Sequence, residues 1–99
     1  MPLQIKHRKY LRELTHRLKP VVIIGQHGLT ENVMVEINNA LEFHELIKVR
    51  VNAGDREDRN AMIEQILMQS NAELVQQVGH IVALYKRNHK NPKITIPRI

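Results

Sequence analysis

At the start of the chain the apolar positions change period once. Leu3, Tyr10, Leu11, Leu14 and Leu18 share a stripe at helical spacing, with Lys9, Arg12, His16 and Lys19 opposite. This predicts an amphipathic helix with a basic back over residues 3–18. Pro20 ends it. The following Val21-Val22-Ile23-Ile24 is short, wholly apolar and β-branched, as expected for a strand covered on both faces or nearly so, and Gly25 breaks that strand.

Thr30 reads as the cap of a second helix running to about His44. Glu31 sits in its first turn, and Val33, Met34, Ile37, Ala40 and Leu41 recur at spacings of three and four. In Leu46 to Val51, Ile47, Val49 and Val51 alternate with Lys48 and Arg50, the period of a strand with one buried face and one wet, basic face. Gly54 and Asp55 close that strand. Asp55 caps a third helix over 56–70, with Ala61, Met62, Ile63, Ile66 and Leu67 inward and Asn71 at its end. Met34, Met62 and Met68 read as core or near-core filling. Residues 73–78 and 80–86 are two apolar runs parted by Gly79, which predicts an antiparallel pair.

The order helix, strand, helix, strand, helix, strand, strand predicts an α/β fold, a four-stranded mixed sheet packed with helices. From residue 89 the chain is polar and basic, with Pro92 and Pro97. It reads as a tail, 89–99, after one domain, 1–88.

Composition narrows the possible functions. The 99 residues suit one domain, and 42% hydrophobic with 25% charged residues predicts an ordered one. Aromatic residues make up 3%, and Trp is absent, so a sheet surface that stacks RNA bases on aromatic rings is not expected. The lack of Cys excludes disulfides, thiolate metal sites and cysteine nucleophiles. No signal-peptide core or bilayer-length apolar run is present, so the expected location is cytoplasmic and no membrane partner is expected.

Charge is unevenly placed within the net +5. Residues 1–20 hold six Lys or Arg against one Glu, residues 72–99 hold five against one, and residues 21–71 hold four against eight acids. Two basic ends that meet in space would form a patch for a polyanion.

The segment Gly25-Gln26-His27-Gly28, between the apolar strand and the capped helix, has the make-up of a phosphate cradle. Glycine at both ends admits close backbone approach, and the helix beyond supplies free N–H groups and a positive dipole end. Gln26 adds neutral donors, and His27 adds one that can become cationic. No Lys-Ser/Thr pair follows, and a third glycine is missing, so a mononucleotide or dinucleotide site is not expected. A G-x-x-G loop of the KH type instead clamps nucleic-acid backbone.

Leu18-Lys19-Pro20, Val22-Ile23-Ile24-Gly25-Gln26-His27-Gly28-Leu29-Thr30, His44-Glu45-Leu46-Ile47-Lys48-Val49 and Leu84-Tyr85-Lys86-Arg87 together resemble the signature of the CRM domain. Among its members the chain is most similar to the stand-alone bacterial YhbY family. That resemblance implies a fold like the C-terminal domain of translation initiation factor three, with the G-x-x-G loop exposed. It also implies association with precursors of the large ribosomal subunit, whereas plant relatives act in group II intron splicing. Many relatives carry Lys or Arg where this chain has neutral Gln26. The implied RNA surface comprises Gly25, Gln26, His27, Gly28 and Thr30, with Arg8, Lys9 and Arg12 from the first helix, Lys48 and Arg50 from the second strand, and Lys86 and Arg87.

His7, His16, His27, His44, His80 and His89 lack the spacings of a metal site, and no nucleophile-base pair can be read. The expectation is therefore a monomeric, non-enzymatic RNA-binding protein that needs no cofactor or metal and acts on no small-molecule substrate. Its expected partner is precursor rRNA of the large subunit during ribosome assembly. The competing reading is an adaptor that docks on a ribosomal protein or assembly factor through the acidic middle segment around Asp55, Glu57 and Asp58.

Overall fold

A computed structural model describes residues 5–52 and 54–94. The elements are α1 (Ile5–Thr15), β1 (Pro20–Ile24), α2 (Glu31–His44), β2 (Leu46–Val51), α3 (Arg56–Ser70), β3 (Glu73–Val78) and β4 (Ile81–Tyr85). Their order is the expected one. Local chemistry explains several of the boundaries. The Thr30 hydroxyl accepts the Val33 N–H at 3.2 Å. The Asp55 carboxylate accepts the Asp58 N–H at 2.9 Å, while the Asp58 carboxylate accepts the Asp55 N–H at 3.3 Å, a reciprocal capping box. Asn71 ends α3 in the left-handed region, φ 59°, with its N–H on the Leu67 carbonyl.

The sheet order is β1-β2-β4-β3, with β1 parallel to β2 and the other neighbours antiparallel. Strand alternation sorts side chains onto two faces. Val22, Ile24, Ile47, Val49, Val51, Val82 and Leu84 lie on one face, buried with Met34, Ile37 and Leu41 of α2 and Ile63 and Ile66 of α3. On the other face Leu46, Val75, Ala83 and Tyr85 pack with Leu11 of α1, and Leu14, Leu18 and Ile94 close around them.

Several expectations change in three dimensions. The first helix stops at Thr15 rather than residue 18, and Leu3 lies outside the described residues. Tighter bonds take over from His16 to Leu18, such as the Leu18 N–H on the Thr15 carbonyl at 3.1 Å, because the chain must turn before the fixed φ of Pro20. β1 is not covered on both faces. It is an edge strand whose Val21 and Ile23 are exposed, Ile23 by 60%. Among the described residues two helices pack on one face, and the 11-residue α1, with Leu18 and Ile94 beside it, packs on the other; about 16 Å of helix cannot cover a four-stranded sheet. On α3, Ala61 and Met68 face outward, Met68 81% exposed, because the inward stripe runs through Ile63, Ile66 and Ser70.

The segment after β4 returns to the domain as far as it is described. Glu45, wholly buried, ends α2 with φ 65°. Its carboxylate accepts the backbone N–H groups of Asn88 at 2.6 Å, Ile94 at 2.7 Å and Lys93. Residues 95–99, which include Pro97, lie outside the described residues.

Candidate nucleic-acid interface

The parallel pair β1 and β2 sends its C-terminal ends, and hence the N-termini of α2 and α3, to the same edge of the sheet. The Gly25–Gly28 loop lies there. The Gly28 N–H donates to the Gly25 carbonyl at 3.0 Å, closing a tight turn, and the Thr30 N–H donates to the Gly28 carbonyl at 3.1 Å. Gln26 and His27 are therefore held at an exposed tip. Their N–H groups, with those of Leu29 and of Glu31 and Asn32 in the first turn of α2, are the donors left for an anion. The N–H groups of Gly28 and Thr30 are already engaged. Glu31 places a carboxylate at the same helix start, so a phosphate would approach from the Gln26–His27 side.

The two glycines serve different needs. Gly28 has φ 72°, and a β-carbon there would lie 3.6 Å from the Met62 methyl of α3, so its conformation requires glycine. At Gly25 φ is not positive, and a β-carbon would meet nothing within 4 Å. The fold itself places no demand for glycine at position 25.

One row across the sheet runs beside the loop. Ile23, the second residue before Gly25, pairs with Arg50, Arg50 with Ile81, and Ile81 with Val78. Ile23 and Val78 are exposed by 60% and 61%. This is the half of the sheet that α1 leaves open. Arg50 stands at its centre, with its Nε–H on Asn52 Oδ1 at 3.0 Å. Lys48, one row back and half-buried, lines a depression of about 330 Å³ with Thr15, His16 and Gln76.

Other predicted cations lie elsewhere. Arg8 is 4.0 Å from Glu73, in the row Glu73–Tyr85–Leu46 at the far end of the strands. Five residues of strand separate that row from Val51, about 17 Å. Lys86 and Arg87 follow β4 at the same far end, where the Lys86 N–H donates to the Glu45 carbonyl at 2.9 Å. Lys9 and Arg12 are exposed on α1. The structure thus places Arg50 in the row beside the loop, sets Lys48 back opposite Pro20 on the same open face, and separates Arg8, Lys86 and Arg87 from the loop.

Residues not singled out from the sequence also reach the loop end. Arg56, Arg59 and Asn60 of α3 line a polar depression of about 400 Å³ with Gln77 and Gly79, and Arg59 donates to the Gly54 carbonyl at 3.3 Å. Their i, i+3 spacing was readable, but their meeting with the β3–β4 turn was not. Nδ1 of His80, in that turn, lies 3.1 Å from the Val51 carbonyl. Asp55 and Asp58 are occupied as caps. Among the described residues no group of His, Asp or Glu is placed to hold a metal ion, and no helix is long and apolar enough to cross a membrane.

Comparison with known proteins gives a consistent picture. The family model of the CRS1/YhbY (CRM) domain matches residues 3–86. An RNA-binding protein of Haemophilus influenzae is 47% identical over 97% of this chain and 96% of its own length. The protein of Bacillus subtilis named a probable RNA-binding protein is 37% identical over 93% of this chain and 96% of its own. The solution structure of a hypothetical protein from Staphylococcus aureus superposes with a TM-score of 0.81 at 35% identity, covering 96% of this chain and 99% of that one. With the glycine loop and the α/β sheet in the arrangement described, the chain belongs to the CRS1/YhbY (CRM) domain family.

Proposed function

We propose that this protein binds structured RNA without catalysing a reaction, and that its target is precursor large-subunit rRNA during ribosome assembly in the cytoplasm, where it acts as a monomer. Relatives over nearly the whole chain are named RNA-binding proteins, which supports the partner class. The observation that carries the reading is the Gly25–Gly28 turn, closed on itself and exposed at the start of α2, beside the row centred on Arg50. Backbone donors at the tip suit phosphate oxygens, while Arg50 and Lys48 supply charge on the adjoining face. Such contacts read backbone and shape rather than sequence, which fits a folded RNA.

The cap roles of Asp55 and Asp58 weigh against docking through the acidic middle segment, since both carboxylates already hold the start of α3. Binding to precursor rRNA fragments at several salt concentrations tests the proposal. Affinity should fall steeply with salt, and Arg50→Glu should weaken it and flatten the salt slope by roughly one contact. Salt-independent binding, or an Arg50→Glu variant that binds like wild type, would overturn it.

A further inference from the structure

Arg17 and Lys93, one from each basic segment, come together far from the glycine loop, around the single phenylalanine. Phe43, in the last turn of α2, is 68% exposed. The Lys93 ammonium stands 5.8 Å from its ring centroid, and the His44 ring meets it edge-on at 4.7 Å. On one side Phe43 borders a depression of about 490 Å³ shared with Leu14, Leu18, Arg17 and Lys93. A second, of about 320 Å³, presents Asn39, Asn91 and Asn88. Beyond Asn88 a third depression is lined by Lys86, Arg87 and Lys90. The acids nearby do not cancel this charge. Glu45 is buried beneath three backbone N–H groups, and exposed Glu42, which lines the second and third depressions, offsets one of the five cations Arg17, Lys86, Arg87, Lys90 and Lys93. Although this is the negative end of α2, the Leu41 carbonyl is taken by the Glu45 N–H and the Glu42 carbonyl by the Asn88 side chain.

An exposed aromatic ring flanked by cations and side-chain amides matches a nucleotide part by part. The ring face opposite Lys93 offers a stacking surface, Asn39 and Asn91 offer donors and acceptors for a base edge, and Arg17 and Lys93 suit the flanking phosphates. A protein partner would be met by the same apolar surface, but the surrounding positive charge favours a polyanion.

We infer that Phe43 is the platform of a second RNA contact, on which one unpaired base stacks while Arg17 and Lys93 hold its phosphates. This rests on the RNA-binding reading above and extends it. The 14 residues of α2 separate the platform from the loop, about 20 Å, so one RNA engages both ends and the far cations Lys86 and Arg87 gain a use. Glu45 is a positioning residue for this site, because its carboxylate fixes the backbone of Lys93.

The test uses the full chain and a single-stranded RNA of about 12 nucleotides with one 2-aminopurine, long enough to span the ~20 Å. Wild type should quench the fluorophore. Phe43→Leu, which keeps an apolar side chain and removes the ring, should abolish quenching and weaken binding roughly 10-fold, and Phe43→Tyr should restore both. Unchanged affinity and quenching in Phe43→Leu would overturn the inference. If Arg50→Glu weakens binding while Phe43→Leu does not, only the second contact fails. If wild type binds the precursor rRNA fragments but not this single strand, the second contact fails alone, and if it binds neither, both readings fail.

Discussion

The buried carboxylate of Glu45 accepts the backbone N–H of Asn88 at 2.6 Å, joining the end of α2 to the chain beyond β4. The same carboxylate takes the N–H groups of Lys93 and Ile94, so one side chain anchors a segment that sequence alone presents as a tail. Glu45→Gln keeps the shape but turns an N–H₂ group toward backbone donors. It should cost about 1–3 kcal/mol, and hydrogen exchange at Asn88, Lys93 and Ile94 should accelerate well before the sheet unfolds. Unchanged protection at these amides would show that other contacts hold the segment.

Gly25 and Gly28 should respond differently to alanine. At Gly28 the positive φ makes Gly28→Ala destabilising by about 1 kcal/mol. Gly25→Ala should leave urea stability within about 0.5 kcal/mol of wild type, because a β-carbon there meets nothing. Gly25→Asp should likewise fold and yet lose RNA affinity by roughly tenfold or more, since it places a negative charge in the cradle. Stability and affinity measured on the same three variants separate backbone strain from ligand contact.

Tyr85 gives a dependence on alkaline pH. Burial raises its pKa above the ordinary 10.0, the nearby Glu45 charge raises it further, and Arg87 partly opposes both. A folded pKa above the unfolded one means the neutral phenol is favoured in the native state. That contribution is complete below pH 10.0 and is lost as pH rises through the raised folded value. Urea midpoints compared at pH 8 and pH 11 should therefore fall further for wild type than for Tyr85→Phe, in which this titration is absent. Equal falls would contradict the assignment.

The open half of the sheet can be checked against the covered half. Leu11→Ala removes a fully buried side chain from the inner face of α1 and should cost about 2–5 kcal/mol. Ile23→Ala, on the same face but exposed, should cost no more than about 1 kcal/mol. Denaturant titration of both variants reads the difference. A large loss at Ile23 would mean that the open face is covered in solution.

The order of elements, three helix caps and the place of the glycine loop were legible in the sequence, because capping, turn formation and alternation act over a few residues. Thr30, Asp55 and Asn71 each do in the structure what their local chemistry predicts. Sequence did not show that Val21 and Ile23 are uncovered, because an apolar run reads alike in a central and an edge strand, and strand order is set by long-range pairing. Nor could it divide the cations. Arg50 and Lys86 look equivalent along the chain, yet the antiparallel pairing of β2 with β4 sends them to opposite ends of the sheet. Tertiary structure alone decided which charges join the loop and which join Phe43, and it gave buried Glu45 its three distant amide partners, since those neighbours arise from packing rather than from spacing along the sequence.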